Sequence, residues 1–193
     1  MIRILPFLLA GCVGSHLPPA VVPVAEIKTD SVRATATHIG NGIWMTCRHV
    51  LERTQKVVLQ YHETTAVLGE TGPADAFVQG DWVIFHTEPP VVGPELPLNL
   101  TANIAVGEEV FVAGYGWPGS DRPGQSNLVK AEVTAPIQCE GDNVLHLCFP
   151  QSSTYPGLSG AAVIYAGHVV AILAGRMTYG MEVRQLAVRP VEP

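Results

Sequence analysis

Apolar residues recur along this chain in short runs, and turn-forming residues punctuate them. The runs in the first half are Val32–Ile39, Gly42–Met45, Val57–Tyr61, Thr65–Leu68 and Asp81–His86. Those in the second half are Glu109–Gly114, Leu128–Thr134, Val144–Phe149, Ala161–Tyr165, His168–Ala174 and Glu182–Val188. Runs of this length at fairly regular spacing, bounded by turn residues, predict the strands of an all-β sandwich or barrel. One helical turn is expected over Val50–Thr54. The stretch Pro89–Pro97 (Pro-Pro-Val-Val-Gly-Pro-Glu-Leu-Pro) is too rich in proline for a strand interior. It reads as a linker between two β-halves.

Composition supports this outline. The chain has 193 residues, 47% hydrophobic and only 15% charged, enough for one domain or two small packed halves. Nineteen glycines and sixteen prolines argue for many turns and against long helices. A formal charge of −6 leaves no electrostatic footprint for nucleic acid.

Three segments carry candidate chemistry. In Thr154-Tyr155-Pro156-Gly157-Leu158-Ser159-Gly160-Ala161-Ala162, a serine has glycine two before and one after it. Glycine tolerates backbone angles that a Cβ forbids, so such a turn can present a hydroxyl and aim N–H groups at one point. Upstream, Trp44-Met45-Thr46-Cys47-Arg48-His49-Val50-Leu51 ends an apolar run at a histidine. Between them, Asp81-Trp82-Val83-Ile84-Phe85 opens an apolar run with an aspartate. Asp75 is the rival acid, but no apolar run follows its loop.

The order His49, Asp81, Ser159 and these local motifs resemble the chymotrypsin-like (trypsin-like) serine proteases over about Thr35–Val188. Cys47, Leu158 and Ala161 depart from the family pattern. The compact spacing looks more like the bacterial trypsin-like peptidases, including the high-temperature-requirement type. The resemblance implies two packed six-stranded β-barrels with the active site in the cleft between them. It implies His49 as general base, Asp81 as its orienting acid and Ser159 as nucleophile. The N–H groups of Gly157 and Ser159 would form the oxyanion hole. Ser153 would floor the primary substrate pocket, with Ala174 and Gly175 on its wall and Arg176 just beyond. An uncharged floor argues against preference for Lys or Arg and points to small or medium apolar residues. Tyr115 and Trp117, in Gly114-Tyr115-Gly116-Trp117-Pro118-Gly119, either pack or line a substrate groove.

The N-terminus reads as a processing segment. Arg3 precedes the apolar stretch Ile4–Ala10, and Leu9-Ala10-Gly11-Cys12 resembles the bacterial lipobox. That resemblance implies a signal peptide over residues 1–11, lipidation of Cys12 and a lipid anchor in the bacterial cell envelope. An ordinary secretion signal with a chance cysteine is the rival reading. A tether over residues 12–26 would precede the peptidase domain, 27–193, with barrel one at 27–88 and barrel two at 98–193.

Cys139 and Cys148 flank Glu140-Gly141-Asp142-Asn143, a strong turn signal between apolar strands. In an oxidising envelope they are expected to pair as a disulfide across that hairpin. Cys47 reads as a core thiol. A metal site from Cys139, His146 and Cys148, with Cys47 or a histidine added, is the rival. It lacks the closely paired ligands of common zinc modules. The expectation is therefore an endopeptidase with no cofactor or resident metal, a protein or peptide substrate, and no nucleic-acid partner. A catalytically silent binding module on the same fold, or an esterase, is the competing function.

Overall fold

Period-two alternation and β-branched content make strands of all the runs, as a computed structural model shows. It describes residues 18–20, 22–28, 33–52, 58–61, 64–67, 77–79, 81–87, 90–115, 126–135, 143–149, 157–179 and 182–189. Cys12, Cys139 and Ser153 lie outside these residues.

The first half contains β1 (Val24–Lys28), β2 (Arg33–Gly40), β3 (Ile43–Thr46), β4 (Val58–Tyr61), β5 (Thr64–Val67), β6 (Phe77–Gln79) and β7 (Trp82–His86). A short helix, α1 (Arg48–Glu52), follows β3. The strands form one antiparallel sheet in the order β5-β4-β1-β2-β3-β7-β6. The second half contains β8 (Glu109–Gly114), β9 (Asn127–Thr134), β10 (Val144–Cys148), β11 (Ala162–Tyr165), β12 (His168–Tyr179) and β13 (Glu182–Val188). These close into a barrel, β10-β13-β12-β11-β8-β9, with β9 pairing back onto β10. The expected two-barrel, all-β architecture is present, with the first half curled as an open sheet rather than a closed cylinder.

Four differences from the sequence expectation have local causes. A strand absent from the expected runs, β1, begins at Val24 within the segment expected as a tether and pairs with both β2 and β4. Proline-rich sequence precedes it, and the buried Glu26 interrupts its apolar pattern; that carboxylate is held by Lys28 at 3.3 Å and Arg33 at 3.6 Å. The three-residue β6 is too short to show a period. The helical turn starts two residues before Val50, where Val50 N–H bonds Cys47 O at 3.1 Å. Finally, β12 runs five residues past Ala174, pairing with β13 through Tyr179↔Glu182. Gly175, Arg176 and Thr178 are exposed there, and only Met177 and Tyr179 are apolar, a weak signal for the extension.

The Cys139–Cys148 disulfide is not formed: Cys148 is a free, exposed thiol. Cys148 stands opposite Glu132 on β9, and its thiol donates to Phe149 O at 3.7 Å.

Among the described residues, three apolar clusters hold the halves. One lies under the first sheet around Ile27, Trp44, Leu59 and Phe85; a second fills the barrel around Val110, Val112, Leu147 and Val170. The third joins Val24 to Phe111, Ala113, Tyr115, Ile164 and Val169, so β1 packs onto the outside of the barrel. Burying a side chain such as Phe111 or Ile164 stabilises by about 1.5–3 kcal/mol. The connecting segment is strapped down as well. Trp44 Nε1–H donates to Val91 O at 2.9 Å, and Val91 N–H donates to Thr87 Oγ1 at 2.8 Å. His38 Nε2 accepts from Gly42 N–H at 3.2 Å, which leaves Nδ1–H to donate to Pro94 O at 3.1 Å. Pro97 and Asn99 then bond Val169 of β12.

Candidate active site

Three turns bring the candidate residues together. β3 ends at Thr46, and α1 turns back at once, so His49 projects from its first turn. Asp81 occupies the turn that opens β7, anchored by buried Trp82 and by its own carbonyl, which accepts from Arg48 N–H at 3.3 Å. Ser159 lies in the turn before β11, between Gly157 and Gly160, whose φ angles are +93° and +85°. Both glycines are in the left-handed region, where a Cβ is disfavoured. At Gly160 a Cβ would also overlap Thr35 O and Thr46 Oγ1, so no side chain fits.

The side chains form one continuous chain of hydrogen bonds. His49 Nδ1 lies 2.9 Å from Asp81 Oδ2 and 3.1 Å from Oδ1. His49 backbone N–H also reaches Asp81 Oδ1, at 3.3 Å. His49 Nε2 lies 2.9 Å from Ser159 Oγ. A carboxylate only accepts, so the imidazole proton sits on Nδ1 and Nε2 is left as acceptor for the serine hydroxyl. Both partners are open to solvent, with His49 33% and Asp81 41% exposed at the side chain.

The serine turn belongs to the barrel, yet the first sheet holds it. Thr35 N–H donates to Ser159 O at 2.9 Å, and Thr35 Oγ1 donates to Gly157 O at 3.0 Å. Thr37 Oγ1 donates to Gly160 O at 2.9 Å. Thr46 Oγ1 closes the network on Thr35 O at 2.7 Å. From the barrel side, Gly160 N–H bonds Leu173 O at 2.7 Å, and Ala161 O accepts from Leu173 N–H at 2.8 Å.

A model of the trypsin-like peptidase domain matches residues 34–172, well over half of the chain. The chain belongs to the trypsin-like peptidase family. No curated protein matches it in sequence. Among solved structures, it is similar to the Rv3671c protease of M. tuberculosis in its inactive form. The identity is 20% and the TM-score 0.62, over 86% of this chain and 83% of the other. It is also similar to a mutant of human heparin binding protein: 16% identity, TM-score 0.69, 90% of this chain and 88% of that one. An inactivated protease paralogue of the scabies mite matches with 14% identity and TM-score 0.69, over 86% and 88%. At these identities the likeness establishes the fold alone.

Within this family fold, the other expected site residues divide. Ala174 and Gly175 follow Leu173 directly, beside the serine turn. The ladder to β13 shifts register between Leu173 and Gly175, leaving Ala174 as a half-buried bulge and Gly175 exposed. Of the rival metal set, Cys139 lies outside the described residues, His146 is buried and Cys148 is exposed. Cys47 is a core thiol as expected, with its Sγ donating to Leu173 O at 3.2 Å. Burial pushes its pKa well above the usual thiol value, and the negative Asp81 adds to this; a backbone hydrogen bond from Gly160 opposes it. Sequence reading missed Thr35, Thr37 and Thr46. For Thr35 and Thr37 the available signal was the Thr-x-Thr alternation of β2, which places both hydroxyls on one face; Thr46 ends β3 and had no such signal.

Proposed function

We propose that this protein is a serine endopeptidase working through His49, Asp81 and Ser159. The observation that supports it most is the unbroken bonding from Asp81 through His49 to Ser159 Oγ. A serine hydroxyl is a poor nucleophile at neutral pH and needs such a base. In the first step, Ser159 Oγ attacks the scissile carbonyl carbon while His49 Nε2 takes its proton. The imidazolium, stabilised by Asp81, then delivers that proton to the leaving amine nitrogen, and the C–N bond breaks. Water, deprotonated by His49, attacks the acyl-enzyme and releases the acid.

The oxyanion of each tetrahedral intermediate would be held by the Gly157 and Ser159 N–H groups. The threonine bonds support this role, because they fix the carbonyls of Gly157, Ser159 and Gly160 toward the first sheet. Losing one oxyanion donor typically costs on the order of 100- to 1,000-fold in rate. The uncharged Ser153 and the small Ala174 and Gly175 favour a small or medium apolar side chain in the primary pocket. The lipobox-like Leu9-Ala10-Gly11-Cys12 favours a bacterial envelope protein, lipidated at Cys12 and acting on envelope proteins or peptides.

The inactivated protease paralogue of the scabies mite shares this fold, so the fold does not decide between an enzyme and a catalytically silent binding module. The bonded His49–Ser159 pair favours the enzyme. A fluorophosphonate probe separates the two. It should label the protein at Ser159, and Ser159→Ala should abolish labelling. Equal labelling of the variant, or none of the unmodified chain, would rule out the triad. Peptide-library cleavage then distinguishes an endopeptidase from an esterase.

A further inference from the structure

Cys47 has no part in the reaction just described, yet it lies against the two residues that prepare the nucleophile. The ligating atoms of Cys47, His49 and Asp81 all lie within 4.8 Å of one another. A tetrahedral zinc ion, with bonds of about 2.0–2.3 Å, sets its ligand atoms roughly 3.3–3.6 Å apart. The His49–Asp81 separation of 2.9 Å is slightly below that spacing. Small side-chain movements therefore convert this triangle into three corners of a metal site. His49 and Asp81 are open to solvent at about one third and two fifths of their side chains, which provides the approach. Cys47 is fully buried and forms the floor. A thiolate with an imidazole selects a soft or borderline cation over Mg2+ or Ca2+, and a carboxylate completes the set.

We infer that Zn2+, or a cation of similar softness, binds Cys47 Sγ, His49 Nδ1 and an Asp81 carboxylate oxygen, and thereby switches the site off. The binding geometry stands by itself; the inhibition rests on the triad reading above. The consequence follows from the imidazole. In the metal-free site Nδ1 carries the proton and Nε2 accepts from Ser159. A metal on Nδ1 displaces that proton, and the neutral ring can carry its single N–H only on Nε2. Nε2 then donates to Ser159 Oγ and takes no proton from it, so the base is lost without any change of fold. The proton balance is simple. Cys47 S–H loses its proton to solvent as the S–metal bond forms. One proton leaves His49 Nδ1 and one arrives at Nε2, so each metal releases one proton net. Nothing is oxidised or reduced. Leu173 O gives up the Cys47 donor and keeps the Gly160 N–H.

The test uses the full chain with Zn2+, Mg2+ and Co2+ as probes. Zn2+ should slow fluorophosphonate labelling of Ser159, EDTA should restore it, and Mg2+ should have no effect. Cys47→Ala and Cys47→Ser are each compared with their own metal-free rate. Outer-shell partners alone are worth 10–100-fold in metal affinity, so losing a ligand should weaken zinc inhibition at least about tenfold. A readout without activity comes from Co2+ added to a chain with Cys12, Cys139 and Cys148 replaced by serine. A thiolate-to-cobalt charge-transfer band should appear, and adding Cys47→Ala should remove it. Equal zinc sensitivity with and without Cys47, or cobalt binding without the thiolate band, overturns the site. A band without inhibition overturns the switch. If no condition gives labelling at all, the triad reading fails while the cobalt band still decides the metal site.

Discussion

The two β-halves treat their edges differently. In the second half β9 returns onto β10, and every strand of the barrel has two neighbours. In the first half the sheet runs from β5 to β6, two strands of four and three residues at its ends. Closure removes exposed edges, whereas an open sheet limits them by keeping the end strands short. The candidate site draws on both halves. The open sheet contributes His49 and Asp81 from turns at the ends of β3 and β7, and the closed barrel contributes Ser159. The joint is a set of threonine-to-carbonyl bonds centred on Thr35, backed by the apolar contact of Val24 with the barrel. Rigidity on one side and turn-borne groups on the other are thus matched at one buried strand, β2.

The largest test of this joint is chemical. Asp81→Asn should lower kcat by about 10,000-fold with the fold intact, because the imidazole takes the wrong tautomer. Near wild-type turnover of that variant, with circular dichroism unchanged, would mean that the open half supplies no orienting acid. Next comes Gly160→Ala, which forces a Cβ into Thr35 O and Thr46 Oγ1 at a positive φ. Overpacking and left-handed strain together should cost about 3 kcal/mol, read as a lower urea midpoint at unchanged m. An unchanged midpoint would show that the halves do not meet tightly there.

A smaller effect is expected from Thr35→Val. It removes the donor to Gly157 O and strands Tyr115 N–H, which donates to Thr35 Oγ1 at 2.9 Å. A buried unsatisfied donor costs about 1–3 kcal/mol. Because Gly157 is loosened, kcat should fall along with stability, while a threonine that merely fills space would leave kcat alone. The smallest effect belongs to the barrel surface. Lys130 and Glu109 pair at 2.7 Å across β9 and β8, but both side chains are largely solvated. A double-mutant cycle should give less than about 1 kcal/mol. A larger coupling would indicate that the closed half depends on its exterior.

Strands with clear local signals were legible: β2, β3, β4, β5, β7, β8, β9, β10, β11 and β13 fall within a residue or two of their runs. Those that depend on distant partners were not. β1 follows prolines and contains a buried glutamate whose ion pairs appear only after folding. The outer part of β12 mixes glycine, polar and apolar residues and owes its pairing to β13. The disulfide expectation rested on turn chemistry near Glu140–Asn143, which does not fix what Cys148 meets; that thiol is free.

The sequence by itself determined the all-β class, the two halves divided by a proline-rich segment, and the order His49, Asp81, Ser159. Those features are local, since side-chain period, turn residues and motif spacing are properties of neighbouring positions. Only the tertiary structure decided that His49 meets Ser159 across 110 residues. It likewise decided that Thr35 grips the serine turn, and that Cys47 lies beside both members of the His–Asp pair. Period assigns a residue to a face of its strand, but which distant face covers it depends on how the strands pair and pack. In this protein that packing brings β2 under the serine turn and sets Cys47 behind Asp81.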